Sequence, residues 1–546
     1  MDIHTLKKLE NKATQSSQSD FLKMGIAITF MLAVLWYAFG ADNVTNNAFL
    51  AIAAVFGAYM ALNIGANDVA NNVGPAVGSK ALTMGGAIII AVIFEAGGAL
   101  IAGGDVVSTI KKGIIDPALF VNTQEFIWAM TAALLAGGLW LNIATKVGAP
   151  VSTTHSIVGG VMGGGIAAAG FSIVSWGTMG KIAASWIISP VLGAVIAAAF
   201  LYSIKKTILY KEDRLAAMRK MVPIFVAIMA YAFATYLTLK GLKKIWPSII
   251  ETVNAITPFT LEVVKKPTLF VALSIGLVTA IIVYLVVKPL VAKASSSLEN
   301  TAQDANSLFT IPLIFAAALL SFAHGANDVA NAVGPLAAIA DAVQSSTIAS
   351  KAAIPLWVML IGALGIALGL ALYGPKLIRT VGSEITELNQ IRAYSVAMAA
   401  AITVIIASQL GLPVSSTHIA IGGIFGVGFL REFLSDTSAQ EKIEAEEAQI
   451  NEDKKLKKTH KSELKELKAK EDKSDEDKER MKTLKAIIDE EEQMIKAEKK
   501  HLKRAKKTKY VKRSAIMKIV AAWIITVPAA ASIAAFVFYI IKNIMA

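Results

Sequence analysis

The run Gly-Ala-Asn-Asp-Val-Ala-Asn occurs twice, at 65–71 and 325–331, and both copies interrupt long apolar stretches. Carboxylate and amide oxygens are hard ligands, which suit a small hard cation. An Asn-Asp pair at bilayer depth is expensive unless it binds something. One pair in each half of the chain therefore predicts a transporter whose site lies where the halves meet. The predicted cation ligands are Asn67, Asp68, Asn71, Asn327, Asp328 and Asn331.

Glycine and proline follow each run, at Gly74-Pro75 and Gly334-Pro335. These residues predict a broken helix whose backbone carbonyls can join the cation coordination. Capping of an ordinary helix end is the alternative interpretation of one Asn-Asp pair. The matching second copy favours binding over capping.

A second duplicated motif reads Pro-Val-Ser-Thr-Thr-His at 150–155 and Pro-Val-Ser-Ser-Thr-His at 413–418. Each copy precedes an apolar, glycine-rich stretch, which is typical of a helix start. Free N–H groups and the positive helix end favour an anion there, and hydroxyls add donors without a fixed charge. Ordinary N-capping is the alternative. The predicted anion-binding residues are Ser152, Thr153, Thr154, Ser415, Ser416 and Thr417.

Three further residues are possible accessory groups of the site. His155 and His418 could hydrogen-bond the anion, move protons or only satisfy the backbone, and a structural role is favoured. Glu95 lies in an apolar span, where a lone acid is a functional candidate, although helix-to-helix bonding competes. No His or carboxylate spacing indicates a transition-metal site.

Composition restricts the class of protein. The chain has 546 residues, 55% of them hydrophobic and 17% charged, with a mean hydropathy of +0.58. It is therefore expected to be an all-α polytopic membrane protein with about 11–13 membrane segments. The net charge of +13 is no nucleic-acid signal, because the basic residues lie in loops beside apolar spans. The absence of cysteine excludes disulfides, thiol catalysis and thiolate metal sites.

The order of motifs divides the chain. After the two motifs each half ends in a similar span, which begins at Lys181-Ile-Ala-Ala-Ser-Trp186 in one half and Lys518-Ile-Val-Ala-Ala-Trp523 in the other. Three landmarks in one order indicate a duplication. We predict an N-terminal tail and extra span (1–46), repeat 1 (47–204), a linker with two spans (205–307), repeat 2 (308–430 and 515–546) and a charged helical insert (431–514).

Lysine and arginine in the short loops predict the orientation. The basic loop 203–220 is expected inside, which puts the N-terminus and the insert inside, the loop 171–178 outside, and the two repeats in inverted orientation. The lysines between 240 and 266 would then lie outside, against the rule. If the Ser/Thr turns belong to re-entrant hairpins, the number of crossings changes and so does this topology.

The insert is rich in Lys and Glu and carries Met481, Ile488, Ile495 and Leu502 at seven-residue spacing. This pattern predicts a helix with a narrow apolar seam, as a hairpin that turns near Ser474. A solvated helical loop is favoured over a regulatory or partner-binding element.

The paired motifs resemble those of the inorganic phosphate transporter family, which includes sodium–phosphate symporters. The stretch from Phe94-Glu95 to Ile115 is also similar to that family. The resemblance implies a dimeric secondary carrier with inverted repeats that imports phosphate on a cation gradient. It maps the cation ligands to Asn67, Asp68, Asn327 and Asp328, and the phosphate contacts to the two Ser/Thr runs. The extra span 22–40 and the late insert depart from the family pattern.

The expected function is sodium-driven phosphate symport by a multi-pass protein of the cell membrane, with sodium as co-substrate, no other cofactor and no enzymatic activity. The nearest alternatives are a proton-coupled phosphate permease and a sulfate permease of the same fold. A channel is also conceivable. From another class, an intramembrane aspartyl protease would use Asp68 and Asp328 as its dyad.

Overall fold

The computed structural model of the chain describes residues 3–40, 48–258, 260–345, 354–383, 388–469, 474–505 and 513–545. Within these ranges the protein is helical, apart from one isolated bridge between Ile115 and Val174. The α-helices are α1 (Ile3–Gly40), α2 (Ala48–Gly78), α3 (Met84–Ala102), α4 (Gly104–Lys112), α5 (Thr123–Val147), α6 (Thr153–Ala169), α7 (Trp176–Ile204), α8 (Arg214–Tyr236), α9 (Trp246–Ile256), α10 (Leu269–Ala294), α11 (Ala302–Ser307), α12 (Thr310–Asp328), α13 (Ala330–Ser345), α14 (Leu356–Ser383), α15 (Gln390–Gln409), α16 (Ser416–Ala469), α17 (Asp475–Ala505) and α18 (Arg513–Met545).

Twelve helices of the described chain are long and apolar enough to cross a membrane. This confirms the prediction of an all-α, multi-pass membrane protein. The helical segments that carry the Asn-Asp pairs do not end at them, since α2 continues to Gly78 and a single apolar stretch spans Ala302–Ser345. They continue because their polar residues are buried against other helices, so the polar run does not end the helix. The linker contributes α8 and α10, which pack against each other.

The predicted helix break occurs in the second repeat alone, where α12 ends at Asp328 and α13 begins at Ala330. In the first repeat α2 continues without interruption, so the expectation of a break there is wrong. Pro75 and Pro335 nevertheless lie inside α2 and α13. Because proline has no N–H, the carbonyls four residues earlier, those of Asn71 and Asn331, lose their usual helical partner.

Helices of the two predicted repeats pack against each other. The first helix of repeat 1, α2, packs along α14 of repeat 2, and α12 packs along α3 in the matching way. Glycine makes both contacts close, because a Cβ at Gly65 would collide with the Ile366 carbonyl and a Cβ at Gly325 with the Glu95 carbonyl. The sequence therefore places glycine before each Asn-Asp pair for a packing reason.

The last helices of the predicted repeats also pack across this boundary. Helix α18 of repeat 2 packs along α6 of repeat 1, where Gly159 faces the Val527 carbonyl. In the matching contact Gly422 of α16 faces the Pro190 carbonyl of α7. The interior is thus enclosed by helices of both repeats.

Matched turns bring the two Ser/Thr runs into this interior. Gly148 after α5 and Gly411 after α15 have φ angles of 76° and 67°, in the left-handed region that glycine adopts without strain. The chain then turns, and α6 and α16 begin at residues that are at most 2% exposed. Helix α6 has only 17 residues, because it starts inside the protein and ends at its surface.

Residues 428–512 form a separate compact unit, a hairpin of the later part of α16 and α17. Ion pairs join its two helices, with Lys457–Glu492 at 2.7 Å and Arg480–Glu463 at 2.8 Å. The hydrogen bond from Lys457 holds the pKa of Glu492 well below its usual range, at about 2. Ile488 and Ile495 of the predicted seam are buried, and the side chain of Leu502 lies outside the described residues.

Candidate functional site

The two Asn-Asp runs meet in the interior of the molecule. Their polar side chains, Asn67, Asp68, Asn71, Asn327, Asp328 and Asn331, are each at most 1% exposed. All six, together with the two Ser/Thr runs, belong to one buried polar cluster. The residues that the sequence analysis assigned to one site therefore lie together, and their function as a site stays a prediction.

Asn67 and Asn327 each hold the loop before the Ser/Thr run of their own repeat. The Asn67 amide donates to Thr145 Oγ1 at 3.0 Å and to the Ala149 carbonyl at 3.3 Å. The Asn327 amide donates in the matching way to Ser408 Oγ at 2.9 Å and to the Leu412 carbonyl at 3.3 Å. These contacts fix the Ser/Thr runs beside the carboxylates.

Asp68 and Asp328 accept hydrogen bonds from the hydroxyls of both runs. Thr153 donates to Asp68 Oδ2 at 2.7 Å and lies 3.3 Å from Asp328 Oδ2. Thr417 donates to Asp68 Oδ1 at 3.0 Å, and Ser416 donates to Asp328 Oδ2 at 3.2 Å. A hydroxyl has one hydrogen, so a carboxylate that holds it withholds it from any other acceptor.

Asn71 and Asn331 connect the repeats. The Asn71 amide donates to Thr417 Oγ1 at 2.8 Å, from repeat 1 to repeat 2. The Asn331 amide reaches the Thr153 and Thr154 hydroxyls at 3.2 Å, from repeat 2 to repeat 1. Each asparagine therefore orients the hydroxyls of the opposite helix start.

Ser152 and Ser415 are the N-cap residues of the two helix starts. Ser152 Oγ accepts from the His155 N–H at 3.0 Å, and Ser415 Oγ accepts from the His418 N–H at 3.2 Å. The capping interpretation thus describes these two serines, whereas the hydroxyls after them point to the carboxylates. The N-terminal ends of α6 and α16 both face the cluster, so two positive helix ends meet the acidic residues.

His324 is the site residue that sequence reasoning missed. Its Nε2 lies 3.0 Å from Asp328 Oδ2 and 3.7 Å from Asp68 Oδ2, and its Nδ1 lies 3.3 Å from Glu95 Oε1. Comparison of the two repeats does not reveal His324, because the corresponding residue in repeat 1 is the apolar Ile64. The four-residue spacing to Asp328 on one helix face could have identified it.

Glu95 is fully buried and makes the site asymmetric. Its Oε1 accepts from the Asn72 amide at 2.7 Å and faces His324. Since Gly325 packs on the Glu95 carbonyl as Gly65 packs on that of Ile366, Glu95 and Ile366 occupy matching positions. The contact of α3 with α12 thus contains the polar residues Glu95 and His324. The matching contact of α14 with α2 contains the apolar residues Ile366 and Ile64.

Five buried oxygens of the cluster have no hydrogen-bond partner: Asn71 Oδ1, Asn72 Oδ1, Glu95 Oε2, Asn327 Oδ1 and Asp328 Oδ1. The ring nitrogens of His324 beside them make no hydrogen bond either, although they lie near the carboxylates. Buried polar atoms are normally bonded, so unpartnered oxygens call for a cation or added donors. Oxygens of this kind are the ligands that sodium-like hard cations take. Asp68, His324 and Asp328 also offer ligand atoms within 4.8 Å of one another.

His155 and His418 lie behind the helix starts and contact each other, with ring centroids 4.5 Å apart. Both are buried, and their ring nitrogens bond to no described side chain, while the His155 ring approaches the backbone of Trp523. Neither ring contacts the carboxylates described above. The structure therefore brings these two accessory candidates together beside the site, whereas Glu95 lies in it.

Comparisons with known proteins agree on one family. A model of the phosphate transporter family matches residues 64–534. A relative from Helicobacter pylori (strain J99), named as a phosphate permease, is 48% identical over 549 residues, or 98% of each chain. A relative of the same name from Haemophilus influenzae (strain Rd) is 40% identical over 382 residues, or 70% of this chain and 87% of the relative.

Among solved structures, one titled the sodium-dependent phosphate transporter has a TM-score of 0.70 and 29% sequence identity to this chain. The match covers 91% of this chain and 100% of that structure.

Proposed function

Since the chain belongs to the phosphate transporter family, we propose that it is a sodium-driven secondary symporter that imports inorganic phosphate. The observation that carries the proposal is the composition of the buried cluster. Partnerless acceptor oxygens lie beside hydroxyl donors and two helix N-termini, all enclosed between the repeats. This combination suits a cation and an anion bound side by side.

Sodium is proposed to bind the oxygens of Asp68, Asp328 and the asparagines of the two runs. The partnerless oxygens of Asn71, Asn327 and Asp328 support this assignment. The carbonyls of Asn71 and Asn331, which prolines leave without helical partners, are further ligands of the right type. A sodium ion there would supply the missing positive partner.

Phosphate is proposed to bind the hydroxyls of Thr153, Thr154, Ser416 and Thr417 and the N–H groups at the two helix starts. In this structure Asp68 and Asp328 hold three of those hydroxyls. Sodium ions on the carboxylates would compete for the same lone pairs and release the hydroxyl hydrogens for phosphate. They would also neutralise the charge that repels a dianion. Sodium binding thus prepares the hydroxyls for phosphate, so the binding of the two ions is coupled.

Movement of the interlocked repeats around the shared site would expose it to each side in turn. We also expect a homodimer, which sedimentation of the detergent-solubilised protein would check.

Proton coupling is the second candidate, and His324 favours it, because a group that takes up protons contacts Glu95 and Asp328. Membership of a transporter family favours transport over the aspartyl protease alternative. Sulfate remains distinguishable by one property, since a protonated phosphate oxygen can donate to a carboxylate and sulfate cannot do so at neutral pH.

The test is uptake of radiolabelled phosphate into proteoliposomes under a sodium gradient, a proton gradient or no gradient. We expect saturable uptake under the sodium gradient that unlabelled phosphate inhibits and sulfate does not. Uptake under a proton gradient alone, unchanged by sodium, would overturn sodium coupling and support the His324 alternative. A non-saturable flux would indicate a channel.

A further inference from the structure

Four aromatic rings, two of buried histidines and two of partly buried tryptophans, form a continuous row across the boundary between the repeats. Trp186 lies 3.7 Å from His155, His155 lies 4.5 Å from His418, and His418 lies 3.6 Å from Trp523, measured between ring centroids. Trp186 of α7 and Trp523 of α18 occupy matching positions in the last spans of the two repeats. The row is therefore symmetric, with one His and one Trp from each repeat. We call these four residues the ring row.

The environment of the two imidazoles is unlike that of an anion ligand or a proton relay. None of their four ring nitrogens bonds to a side chain, although His155 is 5% and His418 is 1% exposed. The His155 ring also approaches the backbone of Trp523, inside the row itself. The titratable groups of the cluster, Asp68, Asp328 and His324, contact hydroxyls and each other. On α5 and α18, Glu125 pairs with Lys542 at 2.9 Å. A charged imidazolium in the row would have no partner, which is costly in a buried position.

The ring row lies directly behind the proposed phosphate contacts. His155 and His418 are the residues after Thr154 and Thr417, and their own N–H groups bind the N-cap serines. Thr154 donates to the Val414 carbonyl at 2.8 Å, and Thr417 approaches the Val151 carbonyl at 3.4 Å, so each helix start also touches the opposite turn. The separation of the two starts is thus determined by these contacts in front and by the ring row behind.

We infer that Trp186, His155, His418 and Trp523 form an uncharged aromatic spacer that positions the two Ser/Thr helix starts. In this inference, which rests on the proposed phosphate site, both histidines act through their ring faces and not through their nitrogens. They are positioning residues for phosphate and do not contact it.

The first test separates the ring from its nitrogens. His155→Phe and His418→Phe keep a ring of similar width, whereas His155→Ala and His418→Ala remove it. We expect the Phe variants to bind phosphate within about twofold of wild type, with the same pH profile of uptake, because the ring nitrogens have no side-chain partner to lose. The Ala variants should lose up to about tenfold in phosphate affinity, the range of an aromatic contact, while sodium affinity changes less.

The second test uses the tryptophans. Trp186→Ala and Trp523→Ala should reproduce the loss of the corresponding His→Ala variants, because they leave the helix starts equally unsupported. Combining Trp186→Ala with His155→Ala should add little, since the two rings are in contact. Trp128→Ala is the matched control, because Trp128 is a buried tryptophan that packs on Phe538 and is not part of the ring row. Trp186→Phe offers a milder variant if the Ala variant fails to fold.

Wild-type sodium-dependent phosphate binding to the purified protein is measured first, so a failure of the proposed function appears before any variant is compared. If wild type binds phosphate and the Phe variants lose it as the Ala variants do, the nitrogens are needed and the spacer inference is wrong. If the Ala variants keep wild-type affinity, the rings do not position the site and the inference is equally wrong. Gel filtration in detergent establishes that each variant is folded.

Discussion

Asp68 and Asp328 carry the acidic charge nearest to the hydroxyls of both helix starts, and both are buried. Asp68→Asn and Asp328→Asn each remove a charge that a bound cation would neutralise, so sodium affinity should fall and sodium-driven uptake should be nearly abolished. Titration of uptake against sodium concentration measures both effects. Asp213→Asn is the control, since Asp213 is exposed and its N-cap role passes to asparagine. An unchanged sodium dependence in either buried variant would remove that residue from the cation site.

The hydroxyls of Thr153 and Thr417 are held by Asp68 in this structure. Thr153→Val and Thr417→Val keep the side-chain shape and remove the donor. We expect each to weaken phosphate binding by about tenfold or more, because a hydrogen bond to a charged group contributes about 1.5–3 kcal/mol. Equilibrium binding of labelled phosphate measures the change. Thr131→Val provides the comparison, since that buried hydroxyl bonds only within its own helix, and equal effects at Thr131 and Thr153 would contradict a specific role.

Substitutions at Glu95 and His324 can test whether transport needs these two polar residues, which have apolar counterparts in the other repeat. His324→Ile leaves Glu95 buried without a cationic partner, which costs about 3–5 kcal/mol of stability, whereas after Glu95→Ile the imidazole keeps Asp328 beside it. A triple variant copies the matching helix contact of the other repeat, with Asn72→Ala, Glu95→Ile and His324→Ile taken from Ala332, Ile366 and Ile64. It should unfold at a higher temperature than His324→Ile and yet fail to transport phosphate. Wild-type uptake by the folded triple variant would show that Asn72, Glu95 and His324 have no role in transport.

The sequence pointed to candidate site residues wherever the two predicted repeats share a residue. Duplicated runs identified Asp68 with Asp328 and Thr153 with Ser416, because equal residues in equal contexts indicate a common task. The same comparison cannot detect His324, because the corresponding residue of the other repeat is Ile64. Nor can it show that Asn71 serves Thr417 in the opposite repeat, because partners between repeats follow from helix packing and leave no periodic signal.

At the scale of helices, the length of an apolar stretch predicts a membrane span. A polar run such as the Asn-Asp pair interrupts that pattern and suggests that the helix ends there. Helix α2 continues through its Asn-Asp pair instead, because neighbouring helices surround those side chains. The break at Val329 has no counterpart in repeat 1, although both repeats contain Gly-Pro after the run. Packing around each helix, and not its composition, therefore decides where it breaks.

The charged hairpin is expected to be separable from transport. It forms a compact unit of its own, and repeat 1 reaches the matching junction through a few residues only. The Haemophilus influenzae relative matches 70% of this chain with 87% of its own length, so it is the shorter protein. Deletion of Ala439 to Lys500 should therefore leave phosphate uptake in proteoliposomes unchanged.

The basic segment from Lys503 to Arg513 should be kept in that deletion, because its positive charge holds the orientation of the last span; residues 506–512 lie outside the described part of the chain. A deletion of equal length that also removes this segment is the control, and it should misorient α18. Correctly inserted deletion protein that binds phosphate without moving it would make the hairpin part of the transport cycle.

For the whole molecule, packing of helices between the predicted repeats places one cluster at their common boundary. A cavity of about 690 Å³ approaches this cluster from one end. Its lining includes Ala66 and Thr145, and Thr145 accepts a hydrogen bond from Asn67 of the cluster. Lys23 of α1, Lys146 and Lys376 also line it, against the single lining carboxylate of Asp20, so this end is basic on balance. The charge rule predicts that it faces the inside.

The absence of cysteine makes this prediction directly testable, since a single introduced cysteine is the only thiol of the chain. Asn142 is exposed in the cavity, so Asn142→Cys should react with a membrane-impermeant thiol reagent from the inside only. Lys211→Cys, in the basic loop 203–220, should react from the same side, and Ser172→Cys, in the uncharged loop 171–178, from the other. Both loop residues are exposed, so differences in burial do not explain a difference in labelling. Because the cavity adjoins Asn67 through Thr145, modification of Asn142→Cys should also block phosphate uptake. Labelling of Asn142→Cys together with Ser172→Cys, and not with Lys211→Cys, would mean that the cavity opens to the outside and that the predicted orientation is wrong.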